Sequence, residues 1–283
     1  MNNISVNKQV KPLVEKLVES HEKLNLEISE SDGGAKIIDA GIKARGCLEA
    51  GRLITEICMG GLGSVSLSMT HSAPNWPLSI HVHSTDPVLS CLGSQYAGWS
   101  LSFVQNDDNF SALGSGPCRA LAGKEDIFKD IGYKDKFFST VVVLEVDQKP
   151  PQEIIDKVVT DCDISEKNLT VILTPTRSLC GTTQVVGRVL EVGLHKVHEL
   201  GFPIDKVIDG FGTAPVVTVA NPQAGIASDR AVGIASIGDA GNGFNRVNSI
   251  FVKNAGKGYT SSPTVTIADP ETISGVGTYQ FNE

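Results

Sequence analysis

The chain has 283 residues, 41% of them hydrophobic, enough for a sizeable core in one large domain or two ordinary ones. A formal net charge of -8 and a pI near 5.3 argue against nucleic acid and acidic membranes as partners, and 6% aromatic residues leave little for base stacking. No apolar run reaches the roughly 18 residues of a membrane span, and Met1–Lys8 lacks the charged start and apolar core of a signal peptide. The six cysteines form no CxxC pair, which fits buried, reduced thiols in a cytoplasmic protein.

In chain order, apolar residues at helical spacing predict a helix over Asn7 to Lys23. Alternation predicts strands at Leu26–Glu30 and Ala35–Ala40, joined by a turn at Ser31–Gly34. A helix over Leu48–Met59 should stop at Gly60 and Gly61. Gly63–Thr70 and Leu78–Ser84 alternate as strands. Pro87–Gly98 suits a short helix capped by Asp86, and Trp99–Val104 is a strand. Phe138–Val146 and Leu169–Pro175 are apolar and β-branched, hence buried strands around a helix at Pro151–Asp161. Thr182–Leu200 reads as one long helix closed by Gly201. The fold class is therefore mixed α and β (α+β) up to about residue 215. From Val216 to Glu283 short strands and turns dominate, so the chain divides into a body at 1–215 and a β-rich segment at 216–283.

Few positions carry chemistry. Arg188 and Glu191 lie three apart on the long helix, so a guanidinium can hold a carboxylate on one face. That spacing suits a surface ion pair as well as a general base held in place. Two glycine-rich stretches, Met59–Ser64 and Leu113–Ala120, bring backbone amides close together. With Arg119 nearby, the second could hold a phosphate or carboxylate, or could be a tight turn. Neither is a Walker loop or a dinucleotide GxGxxG fingerprint. His81 and His83 share one side of a strand, as a solvent-facing pair or, with Asp86, as metal ligands. His195 and His198 are expected on the helix surface. No Ser lies in a GxSxG elbow, and no Cys has a local His partner.

Several long segments, in order, resemble methenyltetrahydromethanopterin cyclohydrolases. They are Glu49-Ala-Gly-Arg-Leu-Ile-Thr-Glu-Ile-Cys-Met-Gly-Gly-Leu-Gly, Thr85-Asp-Pro, Leu92-Gly-Ser-Gln-Tyr-Ala-Gly-Trp and Ala112-Leu-Gly-Ser-Gly-Pro-Cys-Arg-Ala-Leu-Ala. Thr174-Pro-Thr, Gly187-Arg-Val-Leu-Glu and Lys206-Val-Ile-Asp-Gly-Phe-Gly-Thr-Ala-Pro complete the set. The resemblance covers Ser5 to about Pro215. It implies a two-lobed α/β body with the site in the cleft, a homotrimer, and no metal or prosthetic group. The implied reaction is hydrolysis of a methenyl bridge on tetrahydromethanopterin or a close relative, giving the N5-formyl form. It implies Glu191 as the catalytic carboxylate and Arg188 as its partner. Tyr96, Gly114, Ser115, Gly116 and Arg119 are then expected to bind substrate. Tyr96 stands where many archaeal members have Lys, so Gln-Tyr-Ala-Gly-Trp resembles the version found in bacterial methylotrophs.

The last part departs from that pattern. The Gly-Arg-Thr-Asn-Asp-Ala and Tyr-Gly-Gly elements of the family do not follow Pro215. Asn254-Ala-Gly-Lys-Gly-Tyr-Thr-Ser-Ser-Pro-Thr-Val-Thr-Ile instead resembles β repeats of phage tail and other virion proteins. A second expectation is therefore a non-catalytic virion structural or pterin-binding protein derived from the enzyme.

Overall fold

The computed structural model describes residues 4–69, 78–105 and 108–216, together with strands at 231–239, 245–255, 265–268 and 276–279. It divides into two units, Met1–Pro222 and Gln223–Glu283.

The first unit opens with α1 (Val6–Gln9) and α2 (Lys11–Glu19), followed by β1 (Glu27–Glu30), β2 (Lys36–Asp39) and α3 (Leu48–Cys58). Next come β3 (Gly63–Met69), β4 (Leu78–Ser84), a π-helical segment (Val88–Gln95), β5 (Trp99–Gln105) and β6 (Asp108–Ser115). Short helices α4 (Cys118–Ala122) and α5 (Ile127–Asp130) lead to β7 (Thr140–Leu144), α6 (Gln152–Cys162) and β8 (Leu169–Leu173). The unit closes with α7 (Leu179–Val186), α8 (Val189–Glu199) and β9 (Gly210–Pro215).

Six strands form the larger sheet in the order β1-β2-β8-β7-β6-β5. β2, β8 and β7 run parallel at its centre, and the outer pairs are antiparallel. Strand alternation splits their side chains between two cores. Val142, Leu144, Val171 and Ile37 face Ile154, Ile155 and Val158 of α6. Val141, Val143, Ile172 and Ile38 face Leu17 of α2 and Leu53, Ile54 and Ile57 of α3. Helices cover both faces, which explains why β7 is buried along its whole length. A second sheet, β3-β4-β9, is antiparallel and has its own core of Val65, Ile80 and Val82 against Leu89, Leu92 and Leu194. The body is thus mixed α and β, as expected from the sequence.

Five local expectations change. The first helix is interrupted, and α2 starts again around Pro12, which has no N–H to continue the α1 ladder. Pro87–Gly98 is wound as a π-helix over Val88–Gln95, its last turn closed by Tyr96 N–H on the Cys91 carbonyl at 2.7 Å. The helix expected over Thr182–Leu200 is two helices, broken at Gly187 and Arg188. β6 and β9 were not anticipated, because their Gly, Ser and Asn content hides the strand pattern. The cap position is Pro87 rather than Asp86, which stands one residue earlier and still accepts from the Leu89 N–H through Oδ1 at 3.3 Å.

In the second unit, Ala231–Asp239 pairs antiparallel with Asn245–Ala255, and Val265–Ala268 pairs with Val276–Tyr279. Most of the strand expected at Val216–Pro222, and the Gly-Lys-Gly-Tyr-Thr part of the repeat-like stretch, lie outside the described residues.

Candidate active site

The site begins with the placement of α7. Ser178 caps this helix, its Oγ accepting from the Gly181 N–H at 2.9 Å. The helix packs on α3 so closely that a Cβ on Gly51 would stand 2.5 Å from Thr183 Cβ and 2.9 Å from the Cys180 carbonyl. A turn further along α3, Thr55 comes within 2.5 Å of where a Cβ on Gly187 would lie. Glycine at both positions permits this contact. At Gly187 the helix stops, and its carbonyl accepts from Gln95 Nε2 at 3.2 Å. Arg188 becomes the residue before α8 and Glu191 lies in its first turn.

That break aims the expected pair. Arg188 Nη2 lies 2.8 Å from Glu191 Oε2, with side-chain exposures of 14% and 4%. An exposed pair contributes little, but a buried carboxylate needs its counter-charge, so this is not an ordinary surface bridge. Arg188 Nη1 donates to Ser115 Oγ at 3.2 Å, and Ser115 Oγ donates to the Gln95 carbonyl at 2.6 Å. Arg188 and Ser115 also line a pocket of about 290 Å³ with Ala97, Gln184 and Glu145. A second pocket of about 360 Å³ shares Ser111 and Glu145 with it and adds Asp147, Thr176 and Arg177. Both open where β7 and β8 end, at the carboxyl ends of parallel strands, the usual position for ligands in such sheets. Glu191 lines neither pocket and lies behind Arg188.

The other expected residues take separate places. Gly114 is paired within the sheet, opposite Trp99 and Leu144. Gly116 adopts φ +96, and its N–H donates to the Ser94 carbonyl at 3.0 Å. That glycine turns the chain from β6 into α4 and presents no free amide to an anion. Tyr96 is half-buried, with its ring stacked on His195 at 4.6 Å and 16°.

Arg119 does hold a carboxylate, but an internal one. Gly123, at φ +60, ends α4 in the left-handed conformation and folds the chain back. Glu125 then meets Arg119 in two bonds of 2.8 and 2.7 Å. Arg119 Nη1 donates to the carbonyls of Leu92 and Ser94 at 3.0 and 3.1 Å, and the residue is fully buried. Its guanidinium therefore braces the π-helical segment.

Sequence reasoning missed the surroundings of four side chains. Glu145, exposed and bonded by the Thr176 hydroxyl, stands on the wall common to both pockets. Its position directly after a buried parallel strand was the available signal. Gln95 is fully buried, and its Oε1 has no hydrogen-bond partner among the described residues. His195 and His198 were placed on the surface. Instead His195 covers Tyr96, and His198 lies 3.2 Å from Asp130 with 21% side-chain exposure. His81 bonds Ser68 and Thr213, and His83 bonds Asp209. Among the described residues no group of three or more His, Cys, Asp or Glu could hold a metal ion.

Burial sets the thiols apart from the chemistry. It pushes Cys58 up to about 11 and Cys91, Cys162 and Cys180 up to about 12, and it raises Cys118 well above the ordinary thiol range. Cys47 alone is partly exposed. Native protein titrated with a disulfide reagent at pH 8 should therefore react at Cys47 only, and all six thiols should react after unfolding. Rapid native labelling of Cys58 or Cys91 would contradict this packing.

The family model described as Cyclohydrolase (MCH) matches residues 5–236. The methenyltetrahydromethanopterin cyclohydrolase of Methylobacillus flagellatus is 58% identical over 212 residues, covering 75% of this chain and 64% of that protein. The protein of that name from Methylobacterium organophilum is 50% identical over 212 residues, covering 75% and 65%. The one from Methanosphaerula palustris is 40% identical over 217 residues, covering 76% and 68%. The chain thus spans less than two thirds of the length of the two bacterial relatives.

Proposed function

The chain belongs to the cyclohydrolase (MCH) family, and on that premise we propose that it hydrolyses the methenyl bridge of a tetrahydromethanopterin-type carrier to the N5-formyl form. The observation that carries this reading is the Glu191–Arg188 pair, buried beside a pocket that Arg188 helps to line. The substrate is an amidinium-like cation, which a buried carboxylate attracts. Water attacks the bridging carbon while Glu191 takes one of its protons. The C–N10 bond then breaks as the carbinol O–H proton leaves, and the carboxylic acid returns its proton to N10. The balance is cation plus water to formyl product plus one proton. Side chains and water suffice for these steps, with no prosthetic group.

Arg188 orients the carboxylate and Ser115 anchors Arg188. Tyr96 and Ser115 are read as substrate-facing, with Gly114 in the strand that leads to Ser115 and Gly116 shaping the turn after it. We read residues 1–215 as the catalytic body and 216–283 as an appended β-rich segment of a cytoplasmic homotrimer. The apolar Val192, Ile208 and Phe211, 61%, 83% and 64% exposed, supply a surface that subunit contact would cover. Among the described residues no helix is long and apolar enough to cross a membrane.

The test is the loss of methenyl-pterin absorbance with purified protein. The expected result is hydrolysis well above the spontaneous rate, with the N5-formyl product identified by mass. Folded protein that leaves that rate unchanged would overturn the assignment.

A further inference from the structure

Four side chains form a continuous stack beside the Glu191 pair. His195, four residues after Glu191 on α8, covers one face of the Tyr96 ring at 4.6 Å. The Arg119 guanidinium lies 5.1 Å from the Tyr96 centroid and 5.2 Å from that of Phe128. Glu125 fixes the guanidinium plane through two bonds, and the Leu92 and Ser94 carbonyls fix its position. Gly98 completes the packing, because a Cβ there would stand 2.3 Å from Glu125 Oε1 and 2.4 Å from Tyr96 Cε1.

We propose that His195, Arg119 and Glu125 are positioning residues of the reaction, holding the Tyr96 ring at one orientation on the rim of the site. This rests on the cyclohydrolase reading above. A half-exposed tyrosine at the end of a helix would otherwise turn about its side-chain bonds, and each wrong rotamer removes it from the substrate. A stack with a partly exposed ring costs little desolvation, whereas a fully buried arginine needs the paired carboxylate that Glu125 supplies. Tyr96 lies within electrostatic reach of the catalytic carboxylate. Its hydroxyl is raised above the usual phenol range first by burial and then by Glu125, with Glu191 contributing.

The experiment is a double-mutant cycle with His195→Ala, Tyr96→Ala and the two combined, read as kcat and KM, with the affinity for the N5-formyl pterin measured separately. Circular dichroism and melting temperature check that each variant folds. His195→Ala should lower kcat/KM roughly tenfold or more in the wild-type background and change it little once Tyr96 is Ala. His195→Phe, which keeps a flat ring, should restore most of the loss. Glu125→Gln, which keeps the shape of the clamp, should show the same dependence on Tyr96. Equal losses with and without the Tyr96 ring, or failure of His195→Phe to recover, would overturn the positioning role while leaving the cyclohydrolase reading intact. Wild-type protein that neither turns over the methenyl-pterin nor binds the formyl form would overturn both.

Discussion

Glu191→Gln should lower turnover by about a thousandfold, within the range that general-base catalysis supplies. The substitution keeps the shape of the side chain, and its amide oxygen can still accept from Arg188 Nη2, now 2.8 Å from Glu191 Oε2. What disappears is the basic carboxylate and the negative charge opposite a cationic substrate. Stability should fall modestly, because the half-compensated guanidinium keeps Ser115 as a second partner. The measurement is the rate of absorbance loss, alongside circular dichroism and melting temperature. A folded Gln variant with the wild-type rate would move the base elsewhere. Glu145, on the wall common to both pockets, would be the next carboxylate to replace.

The largest loss of stability is expected at Asp39, which lines neither pocket. This buried carboxylate ends β2 and accepts four backbone N–H groups, those of Gly41, Ile42, Lys43 and Ala44, at 2.9, 2.7, 2.8 and 3.3 Å. Asp39→Ala leaves those donors without their acceptor and should cost about 3–5 kcal/mol, since each bond is to a charged group. For a chain of this size that lowers the melting temperature by on the order of 10 °C. Asp39→Asn keeps one oxygen and should lose less. The loop that Asp39 closes rests on the start of α7, where Ser178 Oγ donates to the Ala40 carbonyl at 3.2 Å. Thermal unfolding of both variants decides the matter. An unchanged melting temperature for the Ala variant would mean that water replaces the carboxylate.

The sequence was most legible where one residue type has one use. The parallel core strands announced themselves through β-branched runs such as Val141–Leu144, and the stop of α3 through Gly60 and Gly61, which adopt φ +67 and +69. Arg188 and Glu191 could be paired from their spacing alone. Their burial could not, because it depends on α3 and the π-helical segment converging from distant parts of the chain. The break at Gly187 was hidden for a related reason. A glycine inside a helical pattern is tolerated, and only Thr55 and Gln95 reveal why the helix ends there. Arg119 misled because an arginine beside glycines has the composition of an anion site. The carboxylate that satisfies it comes six residues later, after a left-handed turn. His195 shows the same limit, since periodicity names the face of a helix but not the ring that will meet it.

The π winding of Val88–Gln95 has a consequence for insertions and deletions. Such a turn holds one residue more than the α-helix that could replace it. Rewinding the segment as regular α-helix with that residue still present would carry everything after it about 100° around the axis. Gln95 would swing away from Gly187, and Tyr96 would leave His195. Removing one residue between Val88 and Cys91 should instead let the segment close as ordinary α-helix with Gln95 and Tyr96 near their places, so a relative lacking one residue here can keep the same aromatic rim.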